Sequence, residues 1–502
     1  MLKRKETQQM QLELVTYDLL VRPDHLLRKI DQAIDFSFIY DLRAPLYCAD
    51  NGRPAIDPEI LFRMLFVGYL YGIRSEVRLC EEVADNAACR WFCGLGLTEK
   101  VPDHATISIN RQRRFRDNRI AGQIFNEILR QAVVKGLVGG NILYTDSTHV
   151  KAKANKHKKV SVTVEETPKA YMDELDEAVE QERKDLGKKP FDPKDGPPPT
   201  RTIQQSKTDP DSGQLHKEGK PDGFHYSEHR TVDSRNNIIV NTYITAANVN
   251  DTDVVPAVLE QVETRLGKLP LYMGLDAGYH NAPAAHQLRA KGVQAVLGYR
   301  RHTHEHGTYG KYRFRYESAL DCYICPEGCL LRHRTTNRQG YREYYSDAKD
   351  CSKCPRRAEC FGASTARREV TRHVWQDDLE QADAFTKTPA GKQLYAWRKQ
   401  TVERSFADAK QLHAFRYARM LGIANMREQA FLTAAVQNMK KMAMLCWSPL
   451  RVFSSLLAYK YKAHASFETW ALSIAWGRGI SRALIAPFLL QFSSSKRTIP
   501  PF

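Results

Sequence analysis

The sequence predicts a mixed α/β core joined to an all-α N-terminal domain, with a charged insertion and a Cys-rich insertion in the core. Three observations predict this fold class. Apolar residues recur at helical spacing through the first 135 residues. From residue 142 onward, apolar β-branched runs alternate with helical patterns, an order typical of a mixed sheet with helices on its faces. Two segments, 152–222 and 317–365, differ from their surroundings in composition.

The composition favours an acidic partner. The chain has 502 residues, enough for several domains, and a formal net charge of +17. A positive surplus of this size favours nucleic acid first and an anionic membrane surface second. The first ten residues are too polar for a secretory signal, and the most apolar stretch, 470–492, is interrupted by Arg478 and Arg482. We therefore expect a soluble cytoplasmic protein without a membrane partner.

The N-terminal residues contain helix caps and a basic segment. Asp57-Pro58 and Asp103 precede apolar helical patterns, as N-cap residues do. The segment that follows Asp103 is rich in arginine and includes Arg111, Arg113 and Arg114. This pattern predicts a DNA-contacting helix of the helix-turn-helix kind, with a solvated Arg-rich face as the alternative.

The first predicted strand, residues 141–150, contains a carboxylate. We expect this apolar, β-branched strand to end at Asp146, which is followed by a run of lysines from Lys151 to Lys159. A carboxylate in a buried strand is costly unless a cation compensates its charge. Either a basic side chain or a metal ion would serve. The alternative is an Asp that caps a strand end or a turn.

The next segments predict an excursion and then a return to the core. Residues 152–222 are dominated by Lys, Glu, Asp and Pro, which predicts a partly disordered insertion outside the core, with a helix at 172–186. Residues 224–232 and 238–246 have the pattern of a β-hairpin. Residues 271–279 form another predicted strand, which ends in Asp276.

A third acidic residue, Glu403, lies in a segment that we expect to be one helix from Tyr395 to Lys410, since no Gly or Pro interrupts it. Lys410 follows Glu403 by seven residues, two turns along the same face. Three converging carboxylates repel one another unless divalent cations lie among them, and Mg²⁺ prefers such oxygen ligands. Two such ions about 4 Å apart can activate a water and stabilise a departing 3′ oxygen.

These motifs and their order resemble those of bacterial insertion-sequence transposases of the DDE class, over roughly residues 15–445. The matching motifs are Gly52-Arg53-Pro54, Asp57-Pro58, Gly68-Tyr69-Leu70-Tyr71-Gly72-Ile73-Arg74-Ser75, Pro102-Asp103-His104-Ala105-Thr106-Ile107-Ser108, Thr145-Asp146-Ser147-Thr148, Asp276-Ala277-Gly278-Tyr279-His280-Asn281, and Tyr395, Arg398, Glu403 and Lys410. The family's commoner spacing places the arginine four residues before the glutamate, a position that Lys399 holds here.

The resemblance implies an RNase H-like core and an enzyme that cuts and joins DNA. It implies that Asp146, Asp276 and Glu403 bind two catalytic Mg²⁺ ions, and that Lys410, with Arg404 and Arg398, contacts transposon-end DNA. The implied reactions are endonuclease cleavage at terminal inverted repeats and attack of the freed 3′-OH on target DNA. The implied setting is a homodimer on the bacterial nucleoid.

We accordingly divide the chain into an N-terminal DNA-binding domain at 1–135, a catalytic domain at 136–450 and a C-terminal tail at 451–502. Two other function classes stand beside the transposase. One is a catalytically inactive, domesticated DNA-binding derivative, against which the retained carboxylates and Lys410 argue. The other is an RNA or DNA nuclease of the same fold, which the helical N-terminal domain favours less because it suits duplex DNA better.

Cysteines cluster in the second insertion. Of the 11 cysteines, six lie between Cys322 and Cys360, and two Cys-x₂-Cys pairs among them resemble a structural Zn²⁺ site. We expect zinc bound by Cys325, Cys351, Cys354 and Cys360, with Cys322 able to replace one of them. Free buried thiols, an iron–sulfur cluster or a disulfide are the alternatives.

Overall fold

The computed structural model describes residues 15–43, 56–111, 119–165, 171–192, 200–216, 222–299, 308–362 and 364–447. The chain divides into one compact unit, residues 1–443, and a second unit, residues 444–502, of which the first four residues are described. The first unit contains both the N-terminal helices and the sheets. The motif at 52–54, Arg113, Arg114 and the tail at 451–502 lie outside the described residues.

The N-terminal part is helical, as predicted. Its helices are α1 (Tyr17–Leu20), α2 (Leu26–Ala33), α3 (Phe38–Arg43), α4 (Pro58–Leu70), α5 (Glu76–Asp85), α6 (Ala87–Phe92), α7 (His104–Asn110) and α8 (Arg119–Val134). The side chains of Asp57 and Asp103 accept hydrogen bonds from backbone N–H groups of the first turns of α4 and α7, so both predicted caps are confirmed.

A large mixed sheet follows, which confirms the predicted α/β class. Its strands are β1 (Ile142–Lys151), β2 (Lys159–Glu165), β3 (Thr200–Ser206), β4 (Gly213–Leu215), β5 (Gly223–Asp233), β6 (Ile239–Ala246), β7 (Tyr272–Leu275) and β8 (Gln294–Leu297). Strands β6, β5 and β1 pair antiparallel in that order, and β7 and β8 continue the sheet parallel to β1. Helices α10 (Val255–Leu266) and α11 (Ala282–Ala290) connect β6 to β7 and β7 to β8.

Strand β1 does not end at Asp146, contrary to the prediction. It continues to Lys151, because the polar residues after Asp146 keep their backbone pairing with β5, from Asp146 opposite Arg230 to Lys151 opposite His225. The completely buried Val150 also holds this end of the strand in the core. Asp146 therefore lies in mid-strand, where its pairing with Arg230 of β5 fixes its backbone, just beyond the last residue that pairs with β7.

The charged insertion is more ordered than its composition predicts. The predicted helix is present as α9 (Met172–Asp185). However, β2 and β3 pair with each other, and β4 joins this pair to β5, so the insertion extends the large sheet. Most side chains of β2 are exposed. Backbone pairing rather than side-chain burial holds such a strand. Its valines, Val160, Val162 and Val164, alternate with polar residues, a strand pattern that the polar composition of the whole segment concealed.

The Cys-rich region forms a second, antiparallel sheet. Its strands are β9 (Arg315–Glu317), β10 (Cys322–Ile324), β11 (Leu330–Thr336), β12 (Tyr341–Ser346) and β13 (Glu369–His373), with helices α12 (Ala348–Ser352) and α13 (Arg357–Cys360) between the last two. The strands pair in sequence order around a small core that contains Phe314, Tyr323 and Leu331. Helix α9 joins this sheet through an ion pair between Glu182 and Arg342.

The last described elements are α14 (Gln376–Lys387), α15 (Pro389–Ala396), a 3₁₀ turn (Trp397–Gln400), α16 (Val402–Leu412) and α17 (Ile423–Cys446). The predicted uninterrupted helix over 395–410 is wrong, because the helical conformation is interrupted at Thr401, whose ψ is −92°. The Thr401 hydroxyl bonds to the carbonyls of Trp397 and Arg398, an alternative to the helical ladder. Among the described helices, none has the length and hydropathy needed to cross a membrane.

Candidate active site

Three elements bring the predicted carboxylates together. Asp146 lies in β1, Asp276 follows the last residue of β7, and Glu403 lies in the first turn of α16. Strands β1 and β7 are parallel neighbours, and Thr145 pairs with Leu275. The next residue on each strand is an aspartate, so the register itself places Asp146 and Asp276 side by side.

One guanidinium contacts all three carboxylates. Nη2 of Arg398 donates to Oδ2 of Asp146 at 3.1 Å and to Oε1 of Glu403 at 2.9 Å. Its Nη1 forms an ion pair with Oδ1 of Asp276 at 3.1 Å. The Arg398 side chain is only 6% exposed. The carboxylates thus converge on one point, and a cation lies at that point.

The site has a buried wall and an open side. The Asp146 side chain is 13% exposed, whereas those of Asp276 and Glu403 are 47% and 44% exposed. Burial raises the pKa of Asp146 to about 6; the Arg398 guanidinium opposes this shift, and the Asp276 carboxylate adds to it. Asp146 is thus stabilised as a carboxylate only when positive charge lies close by.

The break at Thr401 explains how Arg398 and Glu403 meet. On a continuous α-helix, residues five positions apart lie about 140° apart around the axis and cannot face one point. The 3₁₀ turn and the irregular Thr401 turn the backbone between them, so that both side chains reach Asp146. The irregular backbone is therefore part of the site.

Lys410 lies on the same side of the sheet as the carboxylates. Its Nζ donates to Oγ1 of Thr148 at 2.5 Å. Thr148 is two residues after Asp146 on β1, and alternate residues of a strand face the same side. Arg404, next to Glu403, is exposed to solvent.

Arg111 has a different environment from the predicted one. Its side chain is only 12% exposed and is ion-paired with Glu76 of α5 and with Glu428 of α17, the latter at 3.3 Å. A guanidinium held by two carboxylates in the interior is not available to a DNA phosphate. Arg111 instead connects the N-terminal helices to α17.

Two close approaches that shape the site were not predicted from the sequence. A Cβ at Gly274 would lie 2.4 Å from the Tyr144 ring, whose hydroxyl donates to the Leu394 carbonyl at 2.8 Å. A Cβ at Gly298 would lie 2.4 Å from the Tyr395 hydroxyl and 2.7 Å from the backbone nitrogen of Ala277. Both glycines therefore let the segment before Arg398 approach the ends of β7 and β8.

A buried ion pair holds α16 against the sheet. Arg230, opposite Asp146 in the β1–β5 pairing, is completely buried and bonds to the equally buried Glu228. Its Nη1 also donates to the carbonyl and hydroxyl oxygens of Ser405, at 3.1 and 2.9 Å. Because Ser405 is two residues after Glu403, this bond fixes the start of α16. The sequence signal for this ion pair is that Glu228 and Arg230, of opposite charge, occupy alternate positions of one strand and therefore face the same side.

No three His, Cys, Asp or Glu side chains within the described ranges are arranged as ligands of a single ion. The described cysteines are all free thiols. The donor set at Asp146, Asp276 and Glu403 nevertheless has the chemistry of a Mg²⁺ site, since all three offer carboxylate oxygens and already share a cation.

Two family models match the chain. Residues 15–113 match the model described as a transposase domain (DUF772), and residues 324–443 match a transposase DDE domain. The second match includes Glu403 and Lys410, and it begins after Asp146 and Asp276.

Solved structures of transposases are also similar to the chain. The piggyBac transposase synaptic complex with hairpin DNA is 10% identical, with a TM-score of 0.25 over 84% of this chain and 81% of that chain. The Mos1 strand transfer complex is 8% identical, with a TM-score of 0.15 over 51% of this chain and 63% of that chain. No curated protein matches.

Proposed function

We propose that this chain, whose residues 15–113 and 324–443 match transposase family models, cleaves DNA strands at the ends of a bacterial insertion sequence and joins them to target DNA. The observation that carries the proposal is the convergence of Asp146, Asp276 and Glu403 on the Arg398 guanidinium. We further assign the antiparallel β6-β5-β1 and parallel β7-β8 strands to an RNase H-like core.

The three carboxylates would hold two Mg²⁺ ions. When bound, such ions supply an activated water and stabilise the departing 3′ oxygen of a phosphodiester. The residues of the chain orient these oxygens: β1 and β7 fix two carboxylates through their register, and Arg230 fixes the third through Ser405. Arg398 offsets the mutual repulsion of the carboxylates.

An exposed basic surface next to the site supports DNA as the substrate. Lys151, at the end of β1, is exposed, and its backbone N–H bonds to the carbonyl of Arg416, whose side chain is also exposed. The Arg74 guanidinium lies 5.5 Å from the centre of the exposed Tyr417 ring. Cations interleaved with an aromatic ring suit a nucleic acid backbone and its bases.

Lys410, which bonds to Thr148 on the face of β1 that carries Asp146, is the basic side chain of this region that lies beside the carboxylates. We assign Lys410 and Arg404 to contacts with transposon-end phosphates, but not Arg398, which the resemblance implied and which is buried and paired with the carboxylates. In the cell, the protein would act on nucleoid DNA as a homodimer, because two element ends must be paired.

The test is Mg²⁺-dependent cleavage of a labelled duplex that carries the inverted repeat flanking the coding region. We expect Asp276→Ala and Glu403→Gln to lose at least about a hundredfold in rate, the scale on which one preorganised charged group contributes to such chemistry. Asp408→Asn changes a carboxylate on the same helix, α16, outside the site, and should keep the wild-type rate.

Equal cleavage by wild type and Asp276→Ala would refute the site. A wild-type protein that binds the repeat without cutting it would point to the inactive DNA-binding derivative. Faster cutting of an RNA duplex than of the repeat would favour the nuclease alternative.

A further inference from the structure

Five cysteines of the second sheet line one small cavity. The cavity has a volume of about 30 Å³, lies among the apolar side chains of Phe314, Leu331 and Phe361, and is lined by the cysteines at positions 325, 329, 351, 354 and 360. The turn between β10 and β11 contributes two of them, and helices α12 and α13 contribute the others or lie next to them. Cys322 does not line the cavity.

Polar groups contact two sulfur atoms of this cluster. The backbone N–H of Cys329 donates to Sγ of Cys325 at 3.3 Å. The Ser346 hydroxyl lies 3.0 Å from Sγ of Cys351, and either group can be the donor. An N–H directed at Sγ of Cys325 stabilises its thiolate and orients it as a metal ligand.

The electrostatic surroundings suit a negatively charged metal–thiolate centre. Arg357 and Arg368 line the same cavity. The thiols of Cys325, Cys351, Cys354 and Cys360 line the same cavity without yet being arranged as ligands of one ion, so a bound divalent cation would draw them together and offset the cost of their ionisation.

We propose that Cys325, Cys351, Cys354 and Cys360 bind one structural Zn²⁺ ion in this cavity. Four thiolates in a closed set suit a structural zinc ion, and iron–sulfur chemistry is the alternative that the metal measurement distinguishes. The ion would tie the β10–β11 turn to α12 and α13. Cys329 contributes its backbone N–H, and Cys322 packs in the sheet without binding metal.

The first experiment measures metal in the purified full-length protein under reducing conditions. We expect about one equivalent of zinc in wild type, and less than about a fifth of an equivalent in Cys351→Ser and Cys360→Ser, since a closed site needs all four ligands. Cys329→Ser removes a thiol but keeps the N–H, and Cys446→Ser removes an exposed thiol elsewhere. Both controls should retain the zinc of wild type.

The second experiment remains informative even if a serine variant does not fold. Zinc is removed from wild type with a chelator, and Co²⁺ is added as a spectroscopic probe. A tetrathiolate site gives intense visible bands and a sulfur-to-cobalt charge-transfer band, which stoichiometric Zn²⁺ should abolish. Less than half an equivalent of zinc with no such cobalt spectrum, or iron in place of zinc, would overturn the proposal. Loss of zinc in Cys329→Ser with retention in Cys360→Ser would overturn the ligand set.

Discussion

At the scale of single residues, the site depends on charge balance and on two glycines, Gly274 and Gly298, where a side chain would not fit. Arg398 gives the three carboxylates a shared counter-charge, and Gly298 lets the Tyr395 hydroxyl approach the backbone of Ala277. The residue after β7, Asp276, is directly beside that contact. A change of one methyl group at Gly298 should therefore reach the carboxylates.

We predict that Gly298→Ala lowers the cleavage rate and costs about 1–3 kcal/mol of stability, because the new methyl group must displace the Tyr395 hydroxyl and the Ala277 backbone. Gly362→Ala is the matched control, since nothing lies within 4 Å of a Cβ there. The measurements are urea unfolding and cleavage of the labelled repeat.

Adding Tyr395→Phe to Gly298→Ala should recover part of the stability, because the hydroxyl is then absent while the Ala277 contact persists. If the stability losses of Gly298→Ala and Tyr395→Phe were strictly additive in the double variant, the new methyl group would not contact the tyrosine hydroxyl.

His413 provides a second prediction at this scale. Its Nδ1 donates to the Tyr69 carbonyl at 3.0 Å, which joins the end of α16 to α4. Burial and, to a smaller extent, the positive charges of Lys440 and Arg230 lower its pKa to about 4, although the hydrogen bonds to the backbone carbonyls of Tyr69 and Leu70 oppose the shift. The folded protein thus keeps His413 neutral over a range in which the unfolded chain binds a proton.

Because the folded pKa lies below the unfolded value of about 6.5, this group's stabilising effect is complete above that value and is lost as the pH falls towards 4. We expect His413→Gln, which keeps a donor but cannot titrate, to remove about 2 kcal/mol of the stability loss that wild type shows between pH 7 and pH 5. Denaturant unfolding at both pH values checks this. Identical losses in both proteins would contradict it.

The sequence predicted the three carboxylates and Lys410 because their motifs have a recognisable order. It did not predict Gly298 or Arg230, because their importance lies in contacts between distant segments. The sequence left open whether a basic side chain or a metal ion balances the charge of Asp146. In the structure, Arg398 is that basic side chain.

At the scale of elements, α16 is held in place by a polar anchor in the interior. Arg230 joins β5 to Ser405, and also to Gln437 of α17 at 2.8 Å. A buried ion pair of this kind fixes geometry more than it adds stability. Removing both partners of the ion pair should therefore lower the cleavage rate without a comparable loss of stability.

We predict that Arg230→Met alone costs about 3–5 kcal/mol, because it leaves Glu228 buried without its partner. The double variant Glu228→Met, Arg230→Met should recover most of the stability and still cleave DNA slowly, because the bond that fixes Ser405 remains absent. Unfolding and cleavage assays on both variants test this. Full activity in the double variant would show that Glu403 is positioned without this anchor.

Element prediction succeeded at α4, where the Asp57 cap precedes an apolar run, and at the β5–β6 hairpin, and it also located α9, although that helix has no side-chain cap. It failed at the break before α16, because a threonine that bonds back to carbonyls carries no Gly or Pro signal. It also failed at β2, because the prediction weighed the polar composition of residues 152–222 rather than the alternating Val160, Val162 and Val164 of this strand.

At the scale of the whole molecule, the net charge of +17 serves DNA cleavage only if basic residues adjoin the active site. The exposed lysines that follow β1, among them Lys153 and Lys156, extend from the end of that strand where Lys151 meets Arg416. We expect DNA to pass over this surface on its way to the carboxylates. Binding should then release counterions from the phosphates that these lysines neutralise.

The last prediction is that Lys153→Gln with Lys156→Gln reduces the slope of log K against log salt concentration by roughly 1.8, about 0.9 for each phosphate that a lysine no longer neutralises. The matched control is Lys184→Gln with Lys188→Gln, two exposed lysines on or just after α9, which should leave the slope unchanged. Fluorescence anisotropy with the repeat duplex at several salt concentrations measures both. Equal slopes in wild type and the first variant would place the DNA elsewhere, since a protein that neutralises fewer phosphates releases fewer counterions when it binds.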